Sequence, residues 1–438
     1  MNDWKESNIK SLGTVFTNNT FSRDCLNYDS GEYQNIHYGD VLITFSDVID
    51  ANSPLVPYIN SNETVKSDTF IEDGDIIVAD TAEDETVGKV CEIQNVGKRK
   101  IVSGLHTLWY RPNKNEFAPK YLGYLLNTFE CHKQLVRKAH GIKVLSINKG
   151  DFWKTIIKYP ASLNEQNAIA GIISKVDQCI ENTQKTIDAT QKLKKSLMQN
   201  LLTGRMKPDG TMRKDNEFYD HPKMGKIPIG WEINILKDIF TINDESLSSK
   251  TDPKFKFRYI TIESINTENI DYENCPTYNF EDAPGRARRI IKDNDLLISG
   301  VRPNLKGFAI YKKPNDENWI CTTGCYVLRA KEQQDYRFYF YQILSDIGAS
   351  QFYGWVSGTN YPAISDRDIR RLKLYSPTNY EEQKEIANKI DLITKQITEK
   401  QNKINKLKIL KKSLMQNLLT GKIRVDVEKI NHLLESMK

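Results

Sequence analysis

Apolar residues recur every three to four positions over two long stretches of the chain, and the positions between them are mostly Lys, Glu, Gln and Asn. One stretch follows Pro160 and ends at Gly204, and the other follows Pro377 and ends at Gly421. This spacing predicts two helices of about 40 residues, each with a narrow apolar seam of the coiled-coil type. The predicted seam residues are Ile173, Val176, Ile180, Ile187 and Leu197, then Ile390, Ile393, Ile397, Ile404 and Leu414.

The two stretches belong to an internal repeat. The segment LKKSLMQNLLTG occurs at residues 193–204 and again at 410–421. The same number of residues separates Glu165-Gln166 from Glu382-Gln383. The middle of each repeat has diverged, which is typical of one scaffold that carries two different surfaces. Because the second copy supplies a matched seam, we expect the helices to pair antiparallel within the chain. Dimerisation between chains is the alternative.

The remaining sequence predicts two similar mixed α/β (α+β) domains. Short β-branched runs, such as residues 41–45 and 76–79, alternate with loops rich in Asp, Asn and Gly, and one helix is expected at 119–139. The expected boundaries are 1–160 for the first domain, 161–205 for its helix, 206–225 for a linker, 226–377 for the second domain, and 378–438 for the second helix and a C-terminal tail.

Composition narrows the class of protein. The net charge of +5 is compatible with a nucleic-acid partner but does not require one. The seven cysteines are scattered, and the close pair Cys321 and Cys325 lacks the companions of a zinc site, so buried thiols are expected. No apolar run is long enough to cross a membrane, and residues 1–10 lack a secretory segment. We therefore expect a cytoplasmic protein.

The sequence lacks the motifs of common catalytic sites. It has no phosphate-binding loop, GxGxxG, GxSxG, HExxH or adenine-methyltransferase Asn/Asp-Pro-Pro-Tyr motif. Asp73 and Asp75, with acidic residues at 80–85, could form a nuclease-like metal site, although turn and surface roles are favoured. We expect no catalytic residue, no metal and no cofactor in this chain.

Several loops combine the side chains that read bases with those that bind phosphates. Basic or small polar residues follow glycines or strand ends in both halves of the chain. The candidate DNA-binding residues are Lys98, Arg99, Lys100, His140 and Lys143 in the first half, and Arg286, Arg288, Arg289, Arg302, Asn304, Lys306, Thr359, Asn360 and Tyr361 in the second.

Four passages resemble the specificity subunits of Type I restriction–modification systems. They are residues 225–232 (GKIPIGWE), the proline followed by Glu-Gln that opens each long helix, the twin LKKSLMQNLLTG, and residues 74–84 (GDIIVADTAED). Together they span almost the whole chain.

The resemblance implies a sequence-specific DNA-binding subunit that is not itself an enzyme and that serves defence against foreign DNA. Each domain would be a target recognition domain for one half of a bipartite site, and the helices would set the spacer. Two methyltransferase subunits would dock and methylate adenine N6, and two restriction–translocase subunits would join them. S-adenosylmethionine, ATP and magnesium are expected on those partners. A free-standing regulator of a bipartite operator and a nuclease at Asp75 are the alternatives.

Overall fold

The computed structural model describes residues 3–355 and 363–436, and these residues form two compact units. Unit 1 combines the residues up to Lys185 with those from Gln401 onward, and unit 2 is Thr186–Lys400. The division cuts both long helices, so each unit contains a part of each helix. Among the described residues, no helix has the length and apolar character that a membrane span requires.

Unit 1 contains two small sheets whose strands pair mainly antiparallel, with the orders β2-β11-β7-β9-β5 and β10-β4-β6-β3. Its strands are β1 (Trp4–Asn8), β2 (Gly13–Phe16), β3 (Leu26–Asn27), β4 (Tyr33–Ile36), β5 (Val48–Asp50), β6 (Tyr58–Ile59), β7 (Ile76–Ala79), β8 (Thr81–Ala82), β9 (Val90–Gln94), β10 (Lys100–Ser103), β11 (Thr107–Pro112), β12 (Leu145–Ser146) and β13 (Ile156–Pro160). Its helices are α1 (Tyr121–Leu126), α2 (Phe129–Val136), α3 (Lys149–Trp153) and the first half of α4 (Leu163–Leu202).

Unit 2 repeats this plan, with the sheet orders β17-β26-β23-β24 and β21-β18-β25-β22. Its strands are β14 (Phe218–His221), β15 (Gly225–Pro228), β16 (Trp231–Ile235), β17 (Phe240–Ile242), β18 (Lys256–Ile260), β19 (Ile265–Asn266), β20 (Asn269–Ile270), β21 (Thr277–Asn279), β22 (Ala287–Ile290), β23 (Leu296–Ser299), β24 (Phe308–Ile310), β25 (Trp319–Thr322), β26 (Cys325–Ala330) and β27 (Lys373–Pro377). Its helices are α5 (Leu236–Ile239), α6 (Tyr336–Leu344), α7 (Asp346–Trp355), α8 (Asp366–Arg370) and the first part of α9 (Tyr380–Leu418). Helix α10 (Val427–Ser436) belongs to unit 1.

The two long helices pack together inside each unit. In unit 1, Ile173 near the start of α4 shares a core with Leu418 and Leu419 at the end of α9. In unit 2, Leu202 at the end of α4 shares a core with Ile390 near the start of α9. The start of one helix thus meets the end of the other, which is the predicted antiparallel pairing, and the mixed α/β fold is also confirmed.

The predicted seam residues lie at different depths. Ile173, Ile187, Ile390 and Ile404 are buried, and Val176, Ile180, Leu197, Ile393, Ile397 and Leu414 are partly buried. Gly204 and Gly421 follow the helix ends with φ of 66° and 72°, the left-handed conformation expected of C-terminal glycine caps.

Two predicted elements are wrong, and the predicted linker at 206–225 contains β14. Where a strand was predicted at residues 41–45, Asp40–Thr44 forms a helical turn, and Val41 and Phe45 are buried while Ile43 is 87% exposed. A strand would have turned all three side chains to one face. The helix expected at 119–139 is divided into α1 and α2, because the Asn127 side chain bonds the backbone of Val90 through both its oxygen and its nitrogen.

Candidate nucleic-acid interface

Four segments of unit 2 meet at one end of its sheets and are tied together by backbone hydrogen bonds. Thr323 N donates to Arg286 O at 2.8 Å, Gly300 N donates to Gly324 O at 3.0 Å, and Ile364 N donates to Gly300 O at 2.9 Å. We call residues 286, 300–306, 323–324 and 363–364 the unit 2 rim. Main-chain atoms therefore hold the four segments of this rim together.

The unit 2 rim brings together part of the predicted DNA-binding set. Arg286, Arg302 and Asn304 are exposed on it. Lys306 turns inward, where its Nζ donates to Leu344 O at 2.7 Å, so it anchors the loop. The predicted residues Thr359, Asn360 and Tyr361 lie outside the described residues, shortly before Ala363, which pairs with Val301.

Two further predicted arginines, on strand β22, are engaged within the protein. The Arg288 guanidinium lies 4.6 Å from the centre of the Phe280 ring and donates to Ala287 O at 2.9 Å. Arg289 Nη1 donates to Ser246 Oγ at 3.1 Å. Both side chains are only partly exposed. They therefore contribute mainly positive charge near the rim, and few hydrogen-bond donors for a ligand.

Unit 1 has a rim with the same backbone pattern. Asp80 N donates to His106 O at 3.1 Å, and Ile147 N donates to Asp80 O at 2.8 Å. Asp80, His106 and Ile147 thus occupy the places of Gly300, Gly324 and Ile364 in unit 2. We call residues 37–38, 80–82, 106 and 140–147 the unit 1 rim.

The unit 1 rim carries different chemistry from its counterpart. His106 Nδ1 lies 3.6 Å from Asp80 Oδ1, and the ring of Tyr38 stands edge-on to His106 at 5.4 Å. Thr81 Oγ1 donates to Asp80 at 2.8 Å. Burial raises the pKa of Asp80, although Thr81 and His106 oppose this shift. Tyr38, Thr81 and His106 were not predicted as contacts. The offset of 220 residues that relates Asp80 to Gly300 places Thr81 opposite Val301, but it places His106 opposite Tyr326 and Tyr38 opposite Arg258, so it does not bring these two to the rim.

Predicted residues His140 and Lys143 lie on an exposed loop of the unit 1 rim. His140 and Ser146 close the loop through two backbone hydrogen bonds, and Leu145 pairs with Ala82 of β8. The His140 side chain is 75% exposed and Lys143 is exposed. A loop closed at its base in this way can present side chains to a groove without being ordered on binding.

The predicted cluster Lys98, Arg99 and Lys100 does not join this rim. It lies at the start of β10, and the rim lies beyond the end of that strand, about 10 Å away at 3.3 Å per residue. Lys100 forms an ion pair with Glu32 at 2.6 Å, and Arg99 donates to Asn52 at 2.5 Å. These cations are exposed but occupy a separate surface.

Asp73 and Asp75, the pair considered for a nuclease site, have structural partners. The carboxylate of Asp75, 1% exposed, accepts two hydrogen bonds from Arg111 at 2.8 Å and one from Trp109 at 2.7 Å. Asp73 accepts from Val96 N at 2.7 Å. Among residues 3–355 and 363–436, no group of three His, Cys, Asp or Glu could hold a metal ion. Cys321 and Cys325 are buried.

The Glu-Gln pair in the first turn of each long helix holds the segment that follows the end of the other helix. In unit 1, Glu165 accepts two hydrogen bonds from Arg424, at 2.7 and 2.8 Å. In unit 2, Glu382 accepts from Arg213 at 2.6 Å. Each glutamine is buried and bonds the carbonyl of the proline six residues earlier, at 2.9 Å in both units. The motif therefore joins a sheet to two helix termini.

The twin segment LKKSLMQNLLTG presents the same face in both copies. Leu193 and Leu410 are 53% and 46% exposed, and Lys195 and Lys412 are exposed beside them. The preceding lysines turn inward: Lys194 pairs with Glu268 at 2.6 Å, and Lys411 pairs with Asp47 and Asp177 at 2.6 Å. Burial alone would lower the pKa of Lys411, but these two aspartates raise it.

Comparison with known proteins agrees with this duplicated plan. The model of the Type I restriction modification DNA specificity domain matches residues 1–191 and again residues 228–408. Among curated proteins, the putative type I restriction enzyme MjaX specificity subunit of Methanocaldococcus jannaschii is 29% identical over 364 residues, covering 80% of this chain and 79% of that protein. The MjaVIII specificity subunit of the same organism is 27% identical over 340 residues, covering 75% of this chain and 76% of that protein.

Solved structures share the fold. The Type I restriction-modification system S subunit from M. genitalium has a TM-score of 0.54 at 16% identity, covering 95% of this chain and 96% of its own. A chain from a study of complex assembly and conformational transition of the type I R-M system has a TM-score of 0.50 at 16% identity, covering 95% of this chain and 97% of its own. The family predicted from the sequence is confirmed: the chain belongs to the Type I restriction–modification specificity family and is a DNA-recognition subunit with two specificity domains.

Proposed function

We propose that the chain reads a bipartite DNA site, with the unit 1 rim contacting one half and the unit 2 rim the other, and that it carries no catalytic site. The observation that carries this proposal is one backbone framework, built twice, that displays different side chains. Asp80, Thr81 and His106 occupy one rim, and Arg286, Arg302 and Asn304 occupy the other. Two different half-sites follow from two different surfaces.

The side chains at each rim suit the reading of base edges. Arginine and asparagine are the usual partners of guanine and adenine in the major groove, and carboxylates accept from the cytosine amino group. The more basic unit 2 rim is suited to purine contacts and phosphates. The proposal places the site of action in the cytoplasm, where prokaryotic DNA lies.

We also propose that the twin segments bind two copies of one partner, the methyltransferase subunit. Buried positions of a helix are constrained by packing, but Leu193, Lys195 and their counterparts Leu410 and Lys412 are exposed and still identical. Identical exposed faces suit identical partners. S-adenosylmethionine for adenine N6 methylation, and ATP and magnesium for two restriction–translocase subunits, would then be bound by the partners.

The docking proposal is tested by the stoichiometry of the complex. Leu193→Asp should leave one methyltransferase subunit bound, and the double variant with Leu410→Asp should bind none, when masses are measured by native mass spectrometry. Leu392→Asp is the matched control, because Leu392 is 59% exposed on α9 but lies outside the twin segment. Two bound subunits in the double variant would refute the assignment.

The reading function is tested by mapping N6-methyladenine along the source genome with long reads, with this gene intact and deleted. A bipartite motif that disappears on deletion would establish the role and give the target sequence. An unchanged map would contradict the methyltransferase partnership, and DNA binding by the isolated chain would then test a free-standing regulator.

A further inference from the structure

The turn between β23 and β24 is held in an unusual backbone conformation. Pro303–Leu305 forms one turn of 3₁₀ helix, and the residues on both sides, Arg302 and Lys306, have φ of 49°. This left-handed region is sterically unfavourable for residues that carry a Cβ atom. The conformation therefore persists because neighbouring groups impose it.

Three contacts impose this conformation. Lys306 Nζ donates to Leu344 O at the end of α6 at 2.7 Å, and Thr267 Oγ1 donates to Lys306 O at 3.0 Å. Pro303 is buried, and its turn packs against α7. The turn is fixed from three sides before any ligand arrives.

The fixed turn displays an amide beside an aliphatic side chain. Asn304 is exposed, and its side chain makes no hydrogen bond to the described residues. Leu305 is 64% exposed at the next position. An exposed leucine on a strained, anchored turn does not stabilise a solvated loop. In a binding surface, the same fixed turn lowers the entropy lost when a ligand binds.

We propose that Asn304 and Leu305 read an A·T base pair in the major groove of the half-site bound by unit 2. An asparagine amide pairs with adenine N6 and N7, and an apolar side chain contacts the thymine 5-methyl group. A G·C pair offers no methyl group, and Leu305 would cover the cytosine amino group without accepting its hydrogen bond. Lys306 is a positioning residue. This inference rests on the proposed function and assigns a base pair to it.

The test is site selection from randomised DNA by the assembled methyltransferase complex, followed by binding to analogue duplexes. Asn304→Ala should lower the preference for A·T at one position about 5- to 150-fold and leave the other half-site unchanged. Replacing the contacted thymine with deoxyuracil, which lacks the methyl group, should weaken binding by the wild type but not by Leu305→Ala. Asn402→Ala, on an exposed position of α9, is the matched control.

Lys306→Met separates positioning from contact. A positioning role predicts a broader base preference at the same position with an unchanged dependence of binding on salt. A phosphate contact would instead lower the salt slope by about one and keep the base preference, which would overturn the assignment.

The failures of the two proposals are distinguishable. A wild-type complex that selects no bipartite site would refute the proposed function. A wild-type complex that selects one, with unchanged preferences in Asn304→Ala and Leu305→Ala, would refute only the present inference.

Discussion

Buried carboxylates organise the same strands in both units. Asp75 and Asp295 each accept two hydrogen bonds from an arginine of the neighbouring strand, Arg111 and Arg329, at 2.8–2.9 Å. Since Asp295 is fully buried and Asp75 nearly so, loss of the arginine would leave either carboxylate buried without its ion-pair partner. The repeated pair belongs to the shared scaffold and not to either reading surface.

Replacing Asp75 with alanine tests this structural role against the nuclease alternative. The change leaves Arg111 and Trp109 without their buried acceptor and should lower the free energy of unfolding by about 3–5 kcal/mol, measured by urea denaturation. Asp84→Ala, at an exposed turn, is the control and should change it by less than about 1 kcal/mol. A stable Asp75→Ala chain that loses metal-dependent DNA cleavage would support the nuclease instead.

Glu92 makes the stability of unit 1 depend on pH. Burial raises its pKa to about 7, although the N–H groups of Gly123 and Lys120 partly oppose this. A pKa that is higher in the folded state means that its contribution to stability is complete below about pH 4.5 and is lost as the pH rises through about 7. We expect a loss of up to about 3 kcal/mol between pH 4.5 and 8, measured by urea denaturation. In Glu92→Gln this component of the pH dependence should disappear, and an equally steep profile would contradict the assignment.

At this scale, the sequence predicts residue type better than orientation. A lysine in a Gly-rich loop predicts a contact with DNA, but the Lys306 side chain donates to the carbonyl of Leu344, 38 residues later in the chain. The side chains of the unit 1 rim, such as Tyr38 and His106, are ordinary in sequence and become a surface only through strand pairing. Contacts between distant segments decide both cases.

Among the elements, the long helices could be predicted and the short ones only in part. An apolar seam that repeats every three to four positions over about 40 residues can be buried only if the segment is a helix, so the spacing predicts the helix directly. A five-residue run such as 41–45 can bury its apolar side chains as a strand or as a helical turn, and here the turn is formed. The Glu-Gln motif was recognised as a helix start, but its pairing with Arg213 and Arg424 required the fold.

Arg424 and Arg213 each form an ion pair within one unit, so each is expected to stabilise that unit. Arg424→Ala should destabilise unit 1, where Glu165 is left buried without its partner, and Arg213→Ala should destabilise unit 2, each by about 1–3 kcal/mol. Hydrogen exchange of the β1–β13 and β16–β27 pairs would report the two units separately. Lys422→Ala, an exposed neighbour, is the control. Faster exchange in the opposite unit would contradict this assignment.

At the scale of the whole molecule, α4 and α9 of 40 and 39 residues are the proposed spacer. Adding one heptad to each helix, after Lys185 and after Lys400, keeps the seam in register and lengthens the pair by about 10 Å. The spacer of the methylated motif should grow by about three base pairs with both half-sites unchanged. Methylation mapping gives the result, and a heptad in α4 alone is the control that should disrupt the pairing. An altered half-site would refute the role of the helices as a spacer.

The core shared by Ile173 and the end of α9 also affects the order in which the two units are completed during synthesis. About 260 residues separate the last strand of unit 1, β13, from Leu418 and Leu419, which cover its base. At 5–20 residues per second, a ribosome needs about 13–50 s to make them. Throughout that interval the nascent unit 1 exposes an apolar surface, whereas unit 2 emerges after the helix end that covers it. The half of the protein that is made first is therefore the half that is completed last.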